Sequence, residues 1–106
     1  MKKDIILYES EILKAISKIE KYVWKMSFDE FCDDEKTFDA CCMMLQHIWE
    51  CWVKLLTITW WNYKNIPFVD MRGFRNKITH DYMWVDEKII WETIKESIPE
   101  LKKLLQ

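Results

Sequence analysis

Ile5, Tyr8, Ile12, Ala15, Ile16, Ile19 and Val23 recur at three- and four-residue steps, with charged residues filling the opposite face. That period predicts an amphipathic helix over about Asp4 to Lys25. Ser27 followed by Glu30 is the pattern of a capping box and predicts a short helix through SFDEFCDD. Asp34 or Thr37 can cap a long second helix, about Glu35 to Asn62, which Asn65-Ile66-Pro67 then breaks. Pro67 suits the first turn of a third helix reaching His80 or Tyr82. Asp86 and Ser97 open two closing helices, about Asp86–Ser97 and Ile98–Leu105, with Pro99 in the first turn of the last. The expected fold is all-α: one antiparallel bundle of four to five helices, a single domain over residues 1–106, with the first two long helices as its spine.

The second long helix departs from simple amphipathicity. Leu45, Trp49, Trp52, Leu56 and Trp60 form a continuous stripe, and Met44, Cys51, Val53 and Ile58 widen it. A helix apolar on most sides needs cover from its own bundle on one side and from something else on the other. Three covers fit the pattern: a fatter core, a dimer seam, or an exposed recognition surface. For Leu45 and Cys41 the core is the expected cover. Trp60 and Trp61 are adjacent, hence about 100° apart on a helix, so at least one is expected to reach solvent or a partner. A membrane span is the poorer reading of Ala40 to Trp61, because Gln46, His47, Glu50 and Lys54 sit near its middle.

Composition supports a helical chain. Among 106 residues there is one Gly and there are two Pro, too few for the turns of a β-rich fold. The formal charge of −2 argues against a dedicated, strongly basic nucleic-acid module but leaves room for a local basic patch. Cys32, Cys41, Cys42 and Cys51 follow no metal-binding or redox spacing and read as small apolar residues of a reducing, cytoplasmic setting. His47 and Cys51 could offer two metal ligands from one face, but lack two more at fixed spacing, so a core cysteine beside a satisfied histidine is expected. Glu50 is expected to pair with Arg72 or Arg75, or to line a cleft near them. Glu87, Lys88, Glu92, Lys95 and Glu96 read as a solvated face.

The most polar chemistry lies in MRGFRNKITHDY, Met71 to Tyr82. Arg72, Arg75, Lys77 and His80 there face only Asp81, and Arg72, Asn76 and His80 share a helical face. A guanidinium and an imidazole side by side can hold a phosphodiester: Arg75 would stabilise charge on phosphorus, and His80 would move a proton. No metal-ligand cluster accompanies the pair. From these residues alone the preferred reading is the simpler one, in which Arg72 and Arg75 pair with neighbouring carboxylates and His80 caps a helix end.

NIPF, MRGFRNKITHDY, VD, IIWETI and IPELKKLL, in that order, resemble the HepT-like branch of the HEPN superfamily, as do ILKAISKIEKYV, MSFDEF, DEKTFDA and LQHI with Glu50 in the front half. Its Arg-x4-His-x-Tyr motif falls at Arg75, His80 and Tyr82. The resemblance implies an all-α bundle that dimerises into a composite, metal-independent ribonuclease site. Arg75 and His80 would be the catalytic pair and Asn76 a polar support; no cofactor is implied. It also implies a nucleotidyltransferase antitoxin that silences the toxin by adding AMP to Tyr82.

The chain departs from the family pattern where Trp49 and Trp84 stand in place of common glycines, Trp24 in place of a charged or small residue, and LTITWW in place of a polar stretch. Bulky indoles at close-approach positions are expected to perturb a dimer. They suggest a redesigned binding or epitope-display scaffold, with Trp49, Trp52, Leu56, Thr57, Trp60, Trp61, Lys64 and Trp84 engaging a protein partner such as an antibody. Ile58 to Lys64 faintly resembles the tryptophan-rich membrane-proximal helix of a retroviral envelope glycoprotein. The alternative is the ribonuclease toxin itself, acting on RNA as a homodimer.

Overall fold

The computed structural model describes residues 2–59 and 87–106, with the side chains of Lys2 and Thr59 excepted. Every described element is helical. Helix α1 runs Lys2–Tyr22, α2 Phe28–Asp33 and α3 Glu35–Thr59. After the undescribed stretch come α4, Glu87–Glu92, a π-helical turn, Thr93–Ser97, and α5, Ile98–Leu105. The helix expected over Pro67 to Tyr82 lies outside the described residues.

The principal seam of the bundle is α1 against α3. From α1 it takes Ile12, Ala15, Ile16 and Ile19, with Val23 just past the helix end, all 5% exposed or less. From α3 it takes Cys41, Leu45, Ile48, Trp52 and Leu55, at steps of four and three. Such a repeat keeps one edge of a helix facing its neighbour over its whole length. Leu45 and Cys41 are core residues, as the pattern predicts. Trp52, expected on the outward stripe, is fully buried instead. The inward edge follows Leu45, Ile48, Trp52 and Leu55, whereas the apolar stripe read from the sequence follows Leu45, Trp49, Trp52 and Leu56, with Trp49, Trp52 and Leu56 expected to engage a partner. Trp49 and Leu56 are half-buried and pack against the core from its flank.

Local capping places the short elements as the sequence predicts. The Ser27 N–H donates to Glu30 Oε1 at 2.9 Å, and the Glu30 N–H donates to Ser27 Oγ at 3.1 Å. Two otherwise unpaired backbone donors at the start of α2 are thereby satisfied. The turn before it is made by Lys25 at φ 60°, a left-handed conformation that ends α1. Of the two candidate caps for α3, Asp34 fills the role: its Oδ1 accepts from the Thr37 N–H at 3.0 Å. That bond, the first cause, holds the Asp34 carboxyl below its ordinary value.

Helix α2 is pinned by aromatic rings. Phe31 packs 5.1 Å from Trp91 and 5.8 Å from Phe38, centroid to centroid, and Phe28 lies 6.1 Å from Trp91. Lys95 Nζ covers the outer side of Trp91 at 4.6 Å. The two closing helices expected from sequence are one rod, because Ser97 stays in the right-handed helical conformation and its side chain caps nothing. The π turn absorbs an extra residue within that rod, so Ile90, Ile94 and Ile98, four apart, remain on the buried side. The Thr93 hydroxyl donates to the Ile89 carbonyl at 2.8 Å, satisfying a nearly buried polar group within the helix. Lys102 Nζ then donates to both carboxylate oxygens of Glu20, at 3.0 and 3.2 Å, tying α5 to α1.

Candidate active site

Arg75, Asn76, His80 and Tyr82 lie outside the described residues, as do Trp60, Trp61, Lys64, Trp84 and Arg72. The described part supplies the scaffold on either side of that stretch, from the end of α3 to the start of α4.

One polar cluster interrupts the α1–α3 seam. His47 Nε2 lies 3.3 Å from Glu11 Oε2 and 3.7 Å from Cys51 Sγ. The partly exposed histidine is satisfied by a carboxylate from the neighbouring helix, and the cysteine beside it is buried in the core, as expected. Glu11 was not anticipated in this role. Its only signal is its place beside Ile12, at the edge of the buried face of α1. The arrangement does not make Cys51 a nucleophile. Burial first, then the Glu11 carboxylate, push its thiol above the ordinary value, whereas a reactive thiolate needs a cation beside it. Among the described residues no group of three or more His, Cys, Asp or Glu is placed to hold a metal ion.

The other cysteines are equally inert. Burial pushes Cys41 and Cys42 up to about 12, helped by Asp34 and by Cys41 respectively. Cys32, half-buried, is raised first by burial and then by its hydrogen bond with Glu87. No described thiol is tuned for catalysis at neutral pH.

The outward side of α3 carries Met43, 68% exposed, together with exposed Glu50, Val53, Lys54 and Thr57. The Thr57 hydroxyl turns back to the Val53 carbonyl at 2.9 Å. Glu50 stands on this exposed side, and its expected partners Arg72 and Arg75 are outside the described residues. Glu87, Lys88, Glu92, Lys95 and Glu96 are all exposed, as a solvated face requires. No described helix is long and apolar enough to cross a membrane.

A capped helical bundle, with a short aromatic-pinned helix between two long partners, matches one class of protein by sequence as well. The family model described as Ribonuclease HepT-like matches residues 12–106. A Methanocaldococcus jannaschii protein named "Putative RNase MJ1216" is 33% identical over 102 residues, covering 96% of this chain and 84% of its own. A second protein of that organism, "Putative RNase MJ0125", is also 33% identical, covering 96% of this chain and 88% of its own. "Probable ribonuclease HepT" of Thermococcus cleftensis is 34% identical, covering 90% and 86%. No solved structure matches the chain. The chain belongs to the HepT-like ribonuclease family of the HEPN superfamily.

This membership overturns the display-scaffold expectation. Similarity to several proteins named as RNases runs through nearly the whole length, Trp-rich helix included. The structure removes a further support, because Trp52 of the supposed outward ridge is sealed in the core. The tryptophans of α3 that can be described are packing residues of a family member, not a surface built for a chosen partner.

Proposed function

We propose that this protein is a metal-independent endoribonuclease toxin, with residues 1–106 as one functional unit acting in the cytoplasm. The observation that carries this reading is the family match over residues 12–106, with the Arg-x4-His-x-Tyr motif inside it at Arg75, His80 and Tyr82. In the reaction His80 takes the proton of an RNA 2′-hydroxyl. The oxygen attacks the adjacent phosphorus, and the bond to the 5′-oxygen breaks as that oxygen regains a proton. The products are a 2′,3′-cyclic phosphate and a 5′-hydroxyl. Arg75 neutralises the charge that builds on the phosphoryl oxygens, and Asn76 holds a neighbouring polar group in register. Two copies of the chain bring two motifs together into the composite site. A nucleotidyltransferase antitoxin adds AMP to Tyr82, two residues from His80, placing bulk and negative charge at the site's mouth.

Cleavage of an end-labelled single-stranded RNA in excess chelator tests the reading. Wild type should cleave, and His80→Ala and Arg75→Ala should each lose about 10²–10⁴-fold in rate, the usual worth of one acid–base or charge-stabilising group. Absence of cleavage by wild type, or full activity in His80→Ala, would overturn it.

A further inference from the structure

The acidic chain is not acidic everywhere. Residues 14–25 carry Lys14, Lys18, Lys21 and Lys25 against the single acid Glu20, a net of +3, which leaves −5 on the rest of a −2 protein. Lys14, Lys18 and Lys21 follow steps of four and three, so they line one edge of α1 opposite the buried Ile12, Ala15, Ile16 and Ile19, and Lys25 follows in the turn after the helix. All four are exposed. The acids near them are drawn aside: Glu20 is bound to Lys102, and Glu11 faces His47 as well as Lys14, whose Nζ is 3.9 Å from it. At 1.5 Å per residue the three helical lysines span about 10 Å.

Two exposed aromatics accompany the row. Tyr22 is 37% exposed, and Trp24 is 72% exposed, the most open large apolar side chain among the described residues. Trp24 stands in the turn that left-handed Lys25 makes, and Lys25 Nζ lies 5.9 Å from the centre of its ring. An indole so open gains nothing for the fold from burial, and a lysine row beside it offers the two contacts that single-stranded nucleic acid uses: cations along the backbone and a flat ring beneath a base.

We propose that the solvent face of the second half of α1 together with the turn after it, Lys14 to Lys25 with Trp24 in that turn, is a track for single-stranded RNA. Lys14, Lys18, Lys21 and Lys25 bind successive phosphates, and Trp24 stacks on one unpaired base. The inference rests on the ribonuclease reading for its ligand class. It places substrate contacts far along the chain from the Arg75 and His80 motif. Its consequence is a preference for unpaired substrate, because a base held in a duplex cannot lie on Trp24.

Binding measured by fluorescence anisotropy on a labelled 20-nucleotide single-stranded RNA, in a His80→Ala background that prevents cleavage, tests it. The combined Lys14→Gln, Lys18→Gln, Lys21→Gln variant should bind at least tenfold more weakly near 0.1 M salt. Its plot of log affinity against log salt should be shallower by about 2, at about 0.7 per lost phosphate contact. Trp24→Ala should lose about 5- to 100-fold on single strands, leave the salt slope unchanged and leave duplex binding unchanged. Lys36→Gln with Lys103→Gln, exposed lysines elsewhere, is the control and should change affinity little. Equal losses in control and test variants, or unchanged RNA affinity in the triple variant, overturn the track. So does a triple variant that keeps RNA but loses retention on polyglutamate, which would give the face to an acidic protein. Lysine-dependent binding by a protein that never cleaves RNA would sink the ribonuclease reading and keep the track; cleavage with lysine-independent binding would do the reverse.

Discussion

Trp52 and Trp24 are the same side chain set to opposite uses. Trp52 sits mid-α3 with no exposed surface, between Ile48 and Leu55 on the seam with α1. Trp24 sits in the turn after α1, 72% exposed, with a lysine above it. The first is held by its position in a repeat of threes and fours, which points it at a neighbouring helix. The second has left the helix, so no periodicity governs it. Counting indoles therefore says little. What decides a tryptophan's role in this bundle is whether its step in the helix lands on the seam.

The largest expected effect follows directly. Trp52→Ala should cost about 3–5 kcal/mol of folding stability, the usual cost of emptying a large aromatic site in a packed core. Denaturant unfolding with an unchanged m-value measures it. A loss below about 1 kcal/mol would mean that the seam collapses around the gap and that Trp52 is not its centre.

The same seam should weaken in alkali. Cys41 and Cys42, raised to about 12 by burial, resist ionising in the folded chain, whereas unfolded thiols ionise near their ordinary value of 9.0. Their folded-state values lie above the unfolded ones. The stability they contribute is thus complete below about pH 9 and is lost as pH rises from there towards 12. Melting temperature followed from pH 7 to pH 11 should fall, and Cys41→Ala with Cys42→Ala should fall less steeply. Identical profiles would place those thiols in water rather than in the core.

Smaller effects belong to the turn. Lys25 holds φ 60°, which a residue with a Cβ adopts at a cost and glycine does not. Lys25→Gly should raise stability by about 0.5–1 kcal/mol. Because the same change removes a cation beside Trp24, it should also weaken RNA binding, and opposite signs in the two measurements would separate fold from function at one residue. Trp24→Ala should leave stability within about 0.5 kcal/mol, as exposed substitutions do. A loss approaching that of Trp52→Ala would erase the contrast between the two indoles.

Local signals were fully legible in the sequence. Ser27 with Glu30 marked the start of α2, and Asp34 was one of two named caps for α3, because each acts through a hydrogen bond to a backbone three residues away. The buried face of α1 was equally plain, since its apolar stripe is narrow and leaves one way to pack. Helix α3 was not, because a helix apolar on most sides does not say which side meets its neighbour. The apolar stripe read from the sequence shared Leu45 and Trp52 with the true seam but ran through Trp49 and Leu56 where the structure uses Ile48 and Leu55. Ser97 misled for a different reason: serine two residues before proline is a good helix start, yet the π turn that ends at Ser97 carries the helix through. His47 was expected to be satisfied, but its partner Glu11 is 36 residues away and no local pattern announces it. Of the candidate site, Arg75 and His80 were legible as chemistry, while the roles of Asn76 and Tyr82 came only with the family resemblance.

The identity of the RNA ends left after cleavage tests the proposed chemistry most directly. Mass spectrometry of products formed by wild type in excess chelator should find a 2′,3′-cyclic phosphate on one fragment and a 5′-hydroxyl on the other. A 3′-hydroxyl paired with a 5′-phosphate, or products that appear only when a divalent metal is restored, would contradict an Arg75 and His80 mechanism in which the 2′-hydroxyl is the attacking group.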